Sequence, residues 1–320
     1  MINEKGKMKK LDSRELSRLA SQFFTQNYDY LWLKTMLKKG CATAIPGSTL
    51  ITGSSHALNG IYERAWKNAV NCSMHSQDIY YDFQCAHRVL SSTGRHNFEK
   101  CFIVMGYYIA FQDLSRSKIS RESMIARIYY PIFQAAHNWN EPVLHDPWAS
   151  FGDVPKQAKE ACERAAAKKI LDSGTYYTDY RPRGTYFNLN GRSWSQVAEE
   201  ERRAMGAYRA EEHNRLFQHK ASLEENKEIL REFVRFLYSC NVTPIVVITP
   251  FTEGYSRCVL KEMKEGVLEL LDSVPEDIHY VDFNQAAGLF EPEDFMDADH
   301  LSATGAKKMS SILADMFGDT

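Results

Sequence analysis

Two short segments, far apart in the chain, carry residue types that together could perform nucleophilic chemistry on a carbonyl. Gly53-Ser54-Ser55-His56 sets a serine just after a glycine that permits a tight bend. Asp297-Ala298-Asp299-His300-Leu301-Ser302 sets an aspartate three residues before a histidine. At that spacing the carboxylate can reach back to the imidazole Nδ1, fix its tautomer, and leave Nε2 free to take a proton from a serine hydroxyl. Taken singly, each has an ordinary explanation: serine is a common helix N-cap, and Asp297 or Asp299 could cap a surface turn.

What joins the two is the pattern of elements around them. Five short apolar runs read as strands: Thr49–Thr52, Ala69–Ser73, Cys101–Gly106, Thr243–Pro250 and Ile278–Phe283. Helical sequence lies between them, which predicts an α/β fold with a parallel five-stranded sheet and helices on both faces. In such a sheet the strand-to-helix turns share one edge, so the segment after the first strand and the segment after the last meet there. The chain is read as a single 1–320 domain with a helical lead-in over 1–45 and a mainly helical insertion over 110–220. Within the insertion, 195–220 reads as a solvated, charged helix, and Tyr176–Phe187 as an aromatic and arginine segment. That segment is either a packed loop or a platform for a sugar or polar lipid.

With these blocks in place the chain resembles the SGNH (GDSL-type) hydrolases and acyltransferases. The resemblance rests on Gly53-x-Ser55, on Asn71-Cys72-Ser73-Met74-His75-Ser76, on Gly106 after the third strand, and on Asp297-x-x-His300-Leu301 with Gly305 following. It skips the insertion. The resemblance implies a flavodoxin-like three-layer fold, Ser55 as nucleophile, His300 as general base and acid, and Asp297 as the residue orienting His300. It also implies an oxyanion hole from the backbone N–H groups of Ser55 and Ser76. The chain departs from the family pattern at three places: Ser54 replaces Asp, Ser76 replaces Gly, and Tyr108 replaces the Asn of a Gly-x-Asn block. Ser76 can serve only if it tolerates the local backbone, and Tyr108 through its hydroxyl, or Gln112, would have to supply the missing donor. His56, His75, Gly106 and Tyr107 are expected to line the substrate site; for the two histidines a role as alternative base is open, and a hydrogen-bonded wall residue is the ordinary reading.

The expected function is therefore a serine-dependent ester hydrolase or O-acyltransferase acting on a small-molecule or glycan acyl ester. The alternatives are a non-catalytic glycan- or ligand-binding protein of the same fold, and a phosphate binder at Gly53–Asn59. Composition agrees with the first and narrows the partners. With 39 Lys plus Arg against 41 Asp plus Glu, a net charge of -2 supplies no field for a polyanion, so nucleic acid is not expected. Seven scattered cysteines without C-x-x-C spacing fit a reducing compartment, and no apolar run reaches bilayer length, which places the protein in the cytoplasm by expectation. His145, His213 and His219 lack ligand-like spacing, so neither metal nor cofactor is expected, and Asn226 reads as a surface amide. Oligomeric state is not encoded in any of these features.

Overall fold

The computed structural model describes residues 11–92, 97–177, 183–286 and 288–318. Five strands, β1 (Ser48–Gly53), β2 (Ala69–Asn71), β3 (Phe98–Met105), β4 (Thr243–Ile248) and β5 (His279–Asp282), form one all-parallel sheet in the order β2-β1-β3-β4-β5. This is the α/β, flavodoxin-like arrangement expected from the sequence. β1 is buried along its whole length and β4 along nearly all of it, as continuous apolar runs covered on both faces should be. Alternate residues separate the faces. Ile51, Phe102, Val104, Ile245 and Val247 pack with Ala57, Met309 and Leu313 of the helices Ser55–Gly60 and Ala303–Phe317. The helices Ile79–Ser92, Lys220–Ser239 and Lys261–Asp272 pack in succession as the second helical layer.

Several boundaries differ from expectation, with β3 starting at Phe98 instead of Cys101 and β4 ending at Ile248 instead of Pro250. β2 stops at Asn71 instead of Ser73, because Asn71 Oδ1 accepts the Ser73 N–H at 3.1 Å and turns the chain out of the sheet. The lead-in is two helices, Ser13–Gln26 and Tyr28–Cys41, the first closed by a capping box between Asp12 and Glu15. The stretch expected as one insertion over 110–220 divides. Among the described residues, those up to Met36 group with those from Leu114 to Arg183, while Leu37–Asp113 and the residues from Gly184 onward make a second compact unit that holds the sheet.

The first unit has its own aromatic core. Phe23 stacks on Trp148 with ring centroids 3.7 Å apart, and Tyr176 is buried with its hydroxyl donating to Asp29 Oδ1 at 2.7 Å. That end of the aromatic segment is structural. Its middle, 178–182, lies outside the described residues.

In the second unit, Asp82 is buried in the first turn of Ile79–Ser92. It accepts from Gln77 Nε2 at 2.6 Å and from the Gly53 backbone N–H, so it supports the turn that carries Ser55. Burial, reinforced by the neighbouring Asp78, pushes its carboxyl up to about 8. A carboxyl raised above its unfolded value of 3.8 costs the fold nothing below that pH, and stability is lost as pH rises from about 4 to 8, where the unfolded chain has released the proton and the fold still holds it. Asp82→Asn is accordingly expected to flatten the loss of stability between about pH 4 and 8, read as urea midpoints at several pH values. Parallel pH profiles for the two proteins would contradict it.

Candidate active site

Parallel pairing sets Ser55, Ser76, Tyr108, Thr249 and Asn284, each just beyond a strand's C-terminal end, along one edge of the sheet. Gly53 ends β1 at φ 139°, and Ser54 caps the following helix by accepting the His56 N–H at 3.4 Å. This turn lifts Ser55 to the edge, where it is 9% exposed.

The loop before the C-terminal helix brings the histidine to meet it. His300 Nε2 lies 2.8 Å from Ser55 Oγ, and His300 Nδ1 lies 3.0 and 3.2 Å from the two oxygens of Asp297. Asp297 Oδ1 also accepts the backbone N–H groups of Asp299 (3.1 Å) and His300 (2.9 Å), so the capping role and the orienting role fall on the same carboxylate. Its other oxygen takes the Tyr186 backbone N–H at 3.0 Å. Thr252 Oγ1 donates to the Ala298 carbonyl at 2.7 Å, and the Met296 N–H to the His300 carbonyl at 3.0 Å, which fixes the loop from both sides. Gly305 is required below it, since a Cβ there would meet the Asp294 carbonyl oxygen at 2.0 Å.

Asp299 is the residue whose role the sequence reading missed. It is fully buried, its Oδ1 lies 3.3 Å from His300 Nδ1, and Arg209 Nε stands 3.1 Å from each of its oxygens. Two more imidazoles face its Oδ2, His56 Nε2 at 3.8 Å and His213 Nε2 at 3.9 Å. Burial opposes ionisation of Asp299, but the His300 and Arg209 charges hold it well below the usual carboxylate range. Burial likewise disfavours the charged form of His300, yet the Asp299 and Asp297 carboxylates outweigh it and raise the imidazole to about 10. His56 goes the other way, down to about 3, through burial and the neighbouring His300, and burial beside Arg209 pushes His213 well below its ordinary value.

Arg209 and His213 belong to the helix Glu199–Asn214, which was expected to be solvated on most faces. It has a buried face of Gly206, Ala210 and His213 instead, with Gly206 small enough to touch the Gly254 backbone. The i, i+3, i+4, i+7 spacing of 206, 209, 210 and 213 was the available signal. Asn226 is corrected as well. It is buried, and its Nδ2 donates to the carbonyls of Ala110 and Gln112 at 3.1 and 3.0 Å, holding the 3-10 turn Tyr107–Phe111 in place.

That turn delivers Tyr108, whose hydroxyl lies 3.4 Å from Ser54 Oγ and also bonds toward the Ser55 side chain. Burial, countered in part by those hydroxyls, pushes Tyr108 up to about 12, so it stays a protonated donor. Gln112 is not available as an alternative, because its Nε2 donates to the Ser76 carbonyl at 2.6 Å. Ser76 adopts φ 55°, the left-handed conformation that glycine takes at little cost, and is exposed beside half-buried His75.

Neither His56 nor Tyr107 presents its ring to open space. His56 is 1% exposed, hydrogen-bonded through Nδ1 to Thr249 Oγ1 at 3.1 Å and stacked on His300 with centroids 4.9 Å apart, so it is a wall of the site. Tyr107 is buried with its hydroxyl donating to Asp282 Oδ2 at 2.7 Å. Gly106 leaves room for the Tyr108 and His56 rings, since a Cβ would sit 2.9 Å from Tyr108 Cε1 and 3.2 Å from His56 Nε2. His56, Asp299 and His300 offer three potential metal-ligand atoms within 4.8 Å of one another, but Arg209 already occupies Asp299 and Asp297 occupies His300 Nδ1. A cavity of about 550 Å³ at the same sheet edge is lined by Trp194, Arg202, Phe251, Phe283 and Phe290 among others, and Ser55, Asp297 and His300 do not line it.

The fold is thus an α/β, flavodoxin-like parallel sheet with a serine, a histidine and two aspartates at its C-terminal edge. No protein-family model matches the chain, and no curated protein matches it. A solved structure from Streptococcus pneumonia, provisionally described as a platelet activating factor, is similar at TM-score 0.42 and 11% identity, covering 96% of this chain and 99% of that one. Among the described residues no helix is long and apolar enough to cross a membrane.

Proposed function

We propose that this protein is a serine-dependent ester hydrolase or O-acyltransferase of the SGNH type. The observation that carries the reading is the relay from Ser55 Oγ to His300 Nε2 at 2.8 Å and from His300 Nδ1 to Asp297 at 3.0 Å. Ser55 Oγ attacks the acyl carbonyl as His300 takes its proton, and His300 then returns that proton to the leaving alcohol. Water, or a hydroxyl of an acceptor such as a sugar, resolves the acyl-enzyme with His300 acting again as base. Since the imidazole must be unprotonated to act, the rate of acylation rises with pH as His300 loses its proton.

The tetrahedral oxyanion would be met by the backbone N–H groups of Ser55 and Ser76 and by the Tyr108 hydroxyl, in the place where an Asn amide stands in the resembling family. Turnover of an activated acetyl ester tests this assignment. Tyr108→Phe, which deletes one donor and no buried volume, is expected to lower kcat about a hundredfold or more with KM little changed. Equal kcat in the two proteins would remove Tyr108 from the oxyanion hole. Absence of any Ser55-dependent turnover would favour the ligand-binding reading.

A further inference from the structure

His300 faces two carboxylates where a triad needs one. Asp297 is the closer, but Asp299 Oδ1 stands 3.3 Å from the same Nδ1, and a single N–H cannot serve both fully. Two negative charges at one nitrogen hold a proton on the ring, which works against a base. The charged and titratable groups around the imidazole come from four elements. Its own loop gives Asp297 and Asp299, the helix after β1 gives His56, the turn after β3 gives Tyr108, and the helix Glu199–Asn214 gives Arg209 and His213. Tyr255 lies behind His213, its hydroxyl 2.7 Å from Nδ1. Among these, Arg209 is the group that carries a full positive charge to Asp299.

Its placement is rigidly specified. Nε sits equidistant from the two Asp299 oxygens, the guanidinium lies over the Tyr186 ring at 4.2 Å, and Nη1 is 3.4 Å from Glu212. Tyr186 in turn gives its backbone N–H to Asp297. The same pair of residues therefore fixes both carboxylates that His300 sees.

We propose that Asp299 and Arg209 are positioning residues that together set the pH range over which His300 can accept the Ser55 proton: Asp299 holds the proton on His300, and Arg209 offsets that hold. The inference rests on the hydrolase reading for its consequence, but its physical content concerns His300 alone.

Titration of the His300 ring followed by nitrogen-15 NMR, assigned by the resonance lost in His300→Ala, separates the two. Asp299→Asn is expected to lower the His300 midpoint by about one to three pH units, and Arg209→Met to raise it. The double variant removes both charges of a buried pair, which proteins tolerate better than removing one, and is expected to show a lowered midpoint as well. The pH dependence of Ser55 labelling by an alkyl fluorophosphonate should shift in the same directions. Wild-type midpoints in both Asp299→Asn and the double variant would overturn the proposal. Wild-type protein that never labels, with the titration shifts present, would overturn the hydrolase reading and leave the role of Asp299 toward His300 standing.

Discussion

His300→Ala is expected to lower ester turnover by about 10⁴- to 10⁶-fold, Ser55→Ala by a similar factor, and the double variant by no more than the worse of the two. The reason is that the two side chains act as one unit. Without His300 the Ser55 hydroxyl keeps its proton and is a poor nucleophile, and without Ser55 the imidazole has no proton to take. What survives either change is stabilisation of the oxyanion by donors that neither residue's side chain supplies. Folding should be little affected by Ser55→Ala, because Ser54 supplies the helix cap and Asn59 bonds the Ser55 backbone carbonyl. Steady-state rates on an activated ester, with each protein's fold checked by circular dichroism, read the effect. Losses that multiply in the double variant would mean that the two residues act separately.

Gly53→Ala is expected to destabilise the protein by about 3 kcal/mol or more. Two costs combine there. The residue sits at φ 139°, outside the range that L side chains readily take, and its Cβ would lie 2.2 Å from the Val104 carbonyl oxygen. That oxygen is backbone in a paired register, Gly53 opposite Val104, so no rotamer change relieves the clash and β1 must move away from β3. Gly174→Ala is the matching control, a left-handed helix cap at φ 66° with open space around it, and should cost only about 1 kcal/mol. Urea denaturation of both variants measures the difference. Equal, small losses would mean that β1 and β3 separate easily at this edge.

The sheet was legible because its signal is local and repeated. Runs such as Thr243–Ile248 are short, β-branched and bounded by turn residues, and parallel strands buried on both faces leave that imprint without any long-range information. The cluster of Ser55, His300 and Asp297 was legible for a related reason, since Asp297 and His300 are one turn apart and Ser55 lies two residues after a glycine that a strained turn requires. Arg209 and His213 were not. They lie about 90 residues before Asp299 in a helix whose charges mask its buried face, and nothing local says that a buried carboxylate waits for them. Asn226 failed for the same reason, its partners being carbonyls more than a hundred residues away. The donor at Tyr108 was read from the place it takes in a pattern. The engagement of Gln112 by the Ser76 carbonyl, which leaves Tyr108 as the one of the two that bonds toward Ser55, needed the packed structure.

Activation of Ser55 by His300 is read from intact-protein mass after exposure to an alkyl fluorophosphonate across a range of pH, followed by peptide mapping. One adduct per chain is expected, on Ser55, forming faster as pH rises, absent in Ser55→Ala and strongly slowed in His300→Ala. An unmodified wild-type chain at every pH, or an adduct on another residue that forms equally fast in His300→Ala, would contradict it.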